Sequence, residues 1–134
     1  DGDDNDNTNF TVDFGVVLEP TAVELVSFSG TWKGGRDVAI RWQTASEVNN
    51  FGFKVLRSAN GNLATATEVE FVLAPSSDGL APGNSYSVSD STPDFGTYTY
   101  WLVDVDTNGL ETVHGPVFVT TEPRWPIFIP LVVR

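Results

Sequence analysis

The sequence predicts an all-β, two-sheet sandwich with an additional strand at each end. Three observations carry that reading. Apolar residues alternate with polar ones in run after run, the period of a half-buried strand. Glycine, asparagine and proline punctuate the runs at short intervals, with Lys33-Gly34-Gly35, Asn60-Gly61, Pro82-Gly83 and Asn108-Gly109 as turn signals. No stretch carries apolar residues at the 3.6-residue spacing of an amphipathic helix.

The elements follow in order. Residues 1–9 are polar and acidic and offer nothing to bury. In residues 10–18, Phe10, Val12, Phe14, Val16 and Leu18 alternate with Thr11, Asp13, Gly15 and Val17, a strand with one strongly apolar side. Pro20 ends it. The next strand spans Ala22–Phe28. Val38, Ile40 and Trp42 define another, and Phe51, Phe53 and Val55 are read as one side of a third. Glu68–Leu73 and Tyr86–Val88 give shorter patterns, Tyr98–Val105 a long one, and Thr112–Thr121 follows across Asn108-Gly109. About seven short strands between residues 20 and 121 fit two packed sheets. Residues 122–126 read as a stiff linker. Residues 127–134 read as a further strand, placed at an edge because Pro130 has no N–H to donate. The organisation is therefore 1–19, an acidic tail plus extra strand; 20–121, the sandwich; and 122–134, linker and C-terminal strand.

Composition narrows the function. Hydrophobic residues make up 40% of the 134, enough for a packed core. Eighteen acids against seven bases give a net charge of −11, which repels phosphate backbones and anionic lipid surfaces and suits divalent cations. Cysteine is absent, so disulfides, thiol chemistry and thiolate metal sites are excluded. No run approaches the roughly 18 apolar residues of a membrane-spanning helix. The start at Asp1 reads as a processed end or a fragment.

Four segments resemble a family. Pro20-Thr-Ala-Val-Glu-Leu, Trp42-Gln-Thr-Ala-Ser-Glu-Val-Asn-Asn-Phe-Gly-Phe, Tyr98-Thr-Tyr-Trp-Leu-Val-Asp-Val-Asp-Thr-Asn-Gly and His114-Gly-Pro-Val, in this order, resemble a fibronectin type III-like module of secreted bacterial surface proteins. The resemblance covers residues 20–121 and implies an immunoglobulin/fibronectin type III-like sandwich. It also implies export to the cell surface or medium, a structural role, and no catalytic residues to carry over. It places Tyr98 as a corner tyrosine whose hydroxyl caps a loop backbone. The Asp-rich start and Asp13-Phe14-Gly15 resemble the tail of a serine-aspartate-repeat-type B domain. Ile127-Phe-Ile-Pro-Leu-Val-Val-Arg134 resembles the ending of many exported proteins of filamentous thermophilic bacteria.

Each candidate site has a plainer alternative. His114, the only histidine, would need a nearby nucleophile or carboxylate to act in catalysis, and only a hairpin would bring Glu111 near it; the plainer reading is a surface or loop-edge histidine before a Gly-Pro turn. Asp104-Val-Asp-Thr-Asn-Gly109 begins like a calcium loop, but its twelfth position is Gly115 instead of the required Glu, so a hairpin is favoured. Asp1, Asp3, Asp4 and Asp6 form a denser oxygen cluster for calcium, against a solvated acidic linker. Trp42 reads as core. Trp32, Trp101 and Trp125 would mark carbohydrate binding if exposed and coplanar, and packing residues if not. No acid pair stands out for glycoside hydrolysis.

The two extra strands need a cover. Phe10, Val12, Phe14, Val16 and Leu18, joined by Ile127, Phe128, Ile129 and Leu131, are therefore the candidate subunit interface, adding a strand to a neighbouring sheet and building a head-to-tail filament. The alternative is the remnant of a preceding domain. The expected function is thus a non-catalytic extracellular spacer, adhesive or filament module. The rival is a carbohydrate-binding accessory domain of a larger secreted enzyme, and a catalytic role would require a polar cleft around His114 or an acid pair.

Overall fold

The computed structural model describes residues 23–76 and 79–125. The strands read at 10–18 and 127–134, and the acidic residues 1–9, lie outside the described residues.

The described residues form eight strands: β1 (Val23–Gly34), β2 (Asp37–Val48), β3 (Asn50–Ser58), β4 (Thr67–Leu73), β5 (Leu80–Pro82), β6 (Ser85–Ser91), β7 (Gly96–Asp106) and β8 (Glu111–Thr121). The first sheet has the order β1-β2-β6, with short β5 pairing the C-terminal end of β2; the second has the order β4-β3-β7-β8. Every pairing is antiparallel. The two sheets pack face to face, so the molecule is the all-β sandwich that the alternation predicts.

Alternation decides what lies between the sheets. Val38, Ile40 and Trp42 of β2 meet Phe53 and Val55 of β3, Val88 of β6, and Tyr98, Tyr100 and Leu102 of β7. Trp42 stacks on Tyr86 at 5.2 Å and tilts against Phe53 at 5.3 Å. Each large side chain buried here contributes about 1.5–3 kcal/mol.

Two of the bulges among the described strands bear on the site. Asn50 pairs with Asp106 and Gly52 with Val105, so Phe51 is the extra residue. It turns outward, 46% exposed against Phe71, which corrects its assignment to one side with Phe53 and Val55. In β8, Gly115 and Pro116 together stand opposite Trp101. Gly115 has φ +109, and a Cβ there would lie 3.1 Å from the Tyr100 carbonyl and 3.0 Å from the Phe28 ring.

The turns also refine the reading. Asn108-Gly109 closes the β7–β8 hairpin, where Asp106 Oδ1 accepts from the N–H groups of Asn108 and Leu110, each at 2.8 Å. The Asp104–Gly109 segment is therefore a hairpin. Asn60-Gly61, in contrast, opens a longer loop containing the 3₁₀ turn Leu63–Thr65. Pro82-Gly83 is a break between two strands on the same edge of β2. A Cβ on Gly83 would fall 2.0 Å from the Thr44 carbonyl oxygen, so only glycine fits. Tyr98 Oη donates to the Asp94 carbonyl at 3.0 Å, the loop-capping bond implied for that position.

Candidate functional site

Most polar side chains that point into the sandwich bond to one another, while Trp42 Nε1, Asn50 Oδ1 and Asp104 Oδ1 are buried without a hydrogen-bond partner. Glu47, 1% exposed, accepts from Thr44 Oγ1 at 2.8 Å, Tyr86 Oη at 2.5 Å and Asn50 Nδ2 at 3.1 Å. These neutral donors stabilise a buried carboxylate without a cation. Burial, then the bond to Glu47, pushes the Tyr86 hydroxyl pKa well above its ordinary value.

A second cluster ties the sheets together. Arg57 Nη1 on β3 donates to Asp90 of β6, 2.8 Å from Oδ1 and 2.9 Å from Oδ2, and Tyr100 Oη donates to Oδ2 at 2.7 Å. Burial, and then Asp90, raise the Tyr100 pKa strongly.

His114 Nε2 lies 2.5 Å from Asp104 Oδ2, whose carboxylate is 1% exposed and whose Oδ1 has no partner. The acid a hairpin was expected to offer it, Glu111, is not its partner. The register of the β7–β8 hairpin sets His114 opposite Leu102, on the inward side with Asp104. Glu111 points outward to Lys54 Nζ at 2.6 Å. Among the described residues no hydroxyl bonds the His114 ring, so the pair lacks the third member of a nucleophilic triad. Three shallow concavities of about 250, 420 and 240 Å³ are lined by described residues, and none has His114 or Asp104 in its wall. Among the described residues no three His, Asp or Glu side chains converge as a metal site. The candidate calcium ligands Asp1, Asp3, Asp4 and Asp6 lie outside the described residues.

The tryptophans separate. Trp42 is core, as read, and Trp101 is 6% exposed. Trp32 has the Arg124 guanidinium 5.8 Å above its ring, and its Nε1 donates to the Gly35 carbonyl at 2.9 Å. Trp125 is 59% exposed and sits on Gly34, where a Cβ would fall 1.7 Å from Cε3. The described residues therefore present no exposed coplanar pair.

What remains available lies on the outside, at edges and outward faces. Among the described residues β8 pairs only with β7, and β1 only with β2. These two edges flank the same side of the sandwich, with Gly30 against Val119 and Phe28 against Gly115. On β8, Val113 is 47% and Phe118 66% exposed, both directed away from the core. The predicted interface residues Phe10, Val12, Phe14, Val16, Leu18, Ile127, Phe128, Ile129 and Leu131 lie outside the described residues. A scan against protein-family models and a search of curated proteins return no match.

Proposed function

We propose that this chain is a non-catalytic extracellular structural module that joins its neighbours by β-strand addition, residues 10–18 of one copy pairing along the β8 edge of the next. The observation that carries the reading is β8 itself, an 11-residue strand with one side unpaired among the described residues and with Val113 and Phe118 exposed along it. A strand added there would meet apolar neighbours across the ladder, the pairing that stabilises sheets. The apolar alternation of residues 10–18 fits such a seat. Burying its five large residues would contribute about 1.5–3 kcal/mol each.

Two further features support the reading. Buried Glu47 and the half-buried Arg57, Asp90 and His114 are held by internal partners. Val23 begins at one end of the sandwich, while Trp125 sits on the β1–β2 turn at the other. Neighbours joined through such opposite poles build an open chain.

Removal of residues 1–18 tests the proposal. Electron microscopy and light scattering should show filaments or a concentration-dependent ladder of oligomers for the full chain and monomers for the shortened one. Fibres that persist unchanged in the shortened chain would overturn the donor-strand role.

A further inference from the structure

Most cations of the described residues are already held. Lys54, Arg57 and Arg124 bond to Glu111, Asp90 and Glu122, and Arg36 donates to the Pro93 carbonyl at 3.0 Å. Among the described residues Lys33 and Arg41 are left without a partner. Lys33 stands at the turn end of β1. Arg41 sits in mid-strand on the outward face of the first sheet, between Ser29 of β1 and Ser87 of β6. The row beside it reads Ser27–Gln43–Ser85. Ser27, Ser29, Arg41, Gln43 and Ser85 line a shallow concavity of about 240 Å³. All five side chains are exposed, and none bonds to another described residue. We propose that this concavity binds an acidic saccharide, a sugar chain bearing carboxylates, with Arg41 on the carboxylate and the serines and Gln43 on the hydroxyls.

The chemistry of the lining selects the ligand. A guanidinium presents a planar fork whose N–H groups match the two oxygens of a carboxylate. The nearest acid along β2 is Asp37, about 13 Å away in an extended strand, and the row between reads Thr31–Ala39–Ser89. An incoming carboxylate therefore meets Arg41 without a competitor on these rows. Hydroxyl and amide side chains both donate and accept, as sugar hydroxyls do, so each set can take the place of the water on the other. No aromatic ring stands on these outward rows to stack on a sugar, and charge with hydrogen bonds carries the grip. The same rows offer a peptide no aromatic or aliphatic anchor. Nucleic acid needs several free cations together, whereas Arg41 stands alone among serines on a chain of net charge −11. An exposed charge pair by itself holds weakly. The four neutral side chains around Arg41 add the hydrogen bonds that make it a site.

Titration of the full chain with an oligogalacturonate, followed at its backbone amides by NMR, tests the proposal. The amides of Ser27, Ser29, Arg41, Gln43 and Ser85 should shift together. Arg41→Gln should weaken binding about tenfold, the loss of hydrogen bonds to a charged group. Lys33→Gln removes the other unpartnered cation and should leave the affinity within about twofold. The methyl ester of the same oligosaccharide, its carboxylates blocked, should bind about tenfold more weakly than the acid. No shifts on this face, equal binding of the ester, equal binding of an oligoglutamate of the same charge, or an affinity unchanged in Arg41→Gln would each overturn the proposal. The concavity lies on the first sheet and β8 in the second, so saccharide binding and strand addition fail separately.

Discussion

The outward face of the first sheet and that of the second obey the same alternation and come out opposite in character. Across β1, β2 and β6 the outward rows read Ser27–Gln43–Ser85, Ser29–Arg41–Ser87 and Thr31–Ala39–Ser89. Nothing larger than Ala39 on these rows is apolar. Across β3, β7 and β8 they read Lys54–Val103–Val113 and Leu56–Trp101, with Thr99 beside Phe118. Lys54 reaches over β7 to Glu111 and shields Val103, which is 1% exposed. The first face is finished by water. The second leaves Val113 and Phe118 uncovered along an unpaired edge, and unpaired apolar edges invite another strand. That difference supports the proposed addition of a strand along β8.

If the two faces are a skin over one shared interior, damage to the inter-sheet tie must exceed any change on either face. Asp90→Ala leaves Arg57 without its carboxylate and should cost about 3 kcal/mol in denaturant unfolding. The tyrosine hydroxyls come next. Their folded pKa values are raised, so their contribution is whole below about pH 10 and is lost as pH rises above it. Stability should fall in alkali, and Tyr86→Phe with Tyr100→Phe should flatten that fall while costing about 1 kcal/mol each at neutral pH. Converting the second face toward the first, with Phe118→Ser and Val113→Thr, should shift stability by less than about 1 kcal/mol. In light scattering it should abolish association. The smallest effect belongs to the exposed Lys54–Glu111 pair, whose double-mutant coupling should be about 0.2–1 kcal/mol and shrink with salt.

Much of the interior was legible because alternation is local. Val38, Ile40 and Trp42, and Tyr98, Tyr100 and Leu102, point where their period puts them. The hairpin at Asn108-Gly109 was legible from turn chemistry. Phe51 was not, because the Asn50–Gly52 bulge that turns it outward depends on β7. The His114–Asp104 pair was hidden because it joins residues on adjacent strands, and their register follows only from the β7–β8 hairpin. Glu47 reads as a surface acid in sequence. It is buried because Thr44, Asn50 and Tyr86 arrive from three places to satisfy it. The one signal in reach was its spacing, three residues from both Thr44 and Asn50. The exposed Val113 and Phe118 become meaningful only once β8 is known to be an edge.

Amide hydrogen exchange along the edge strands tests strand addition at β8 most directly. Comparing the full chain with one lacking residues 1–18, at a concentration where the full chain associates, the free-side amides of β8 should be protected in the first and exchange rapidly in the second, while those of β4 stay alike. Equal exchange along β8 in both chains would contradict the account.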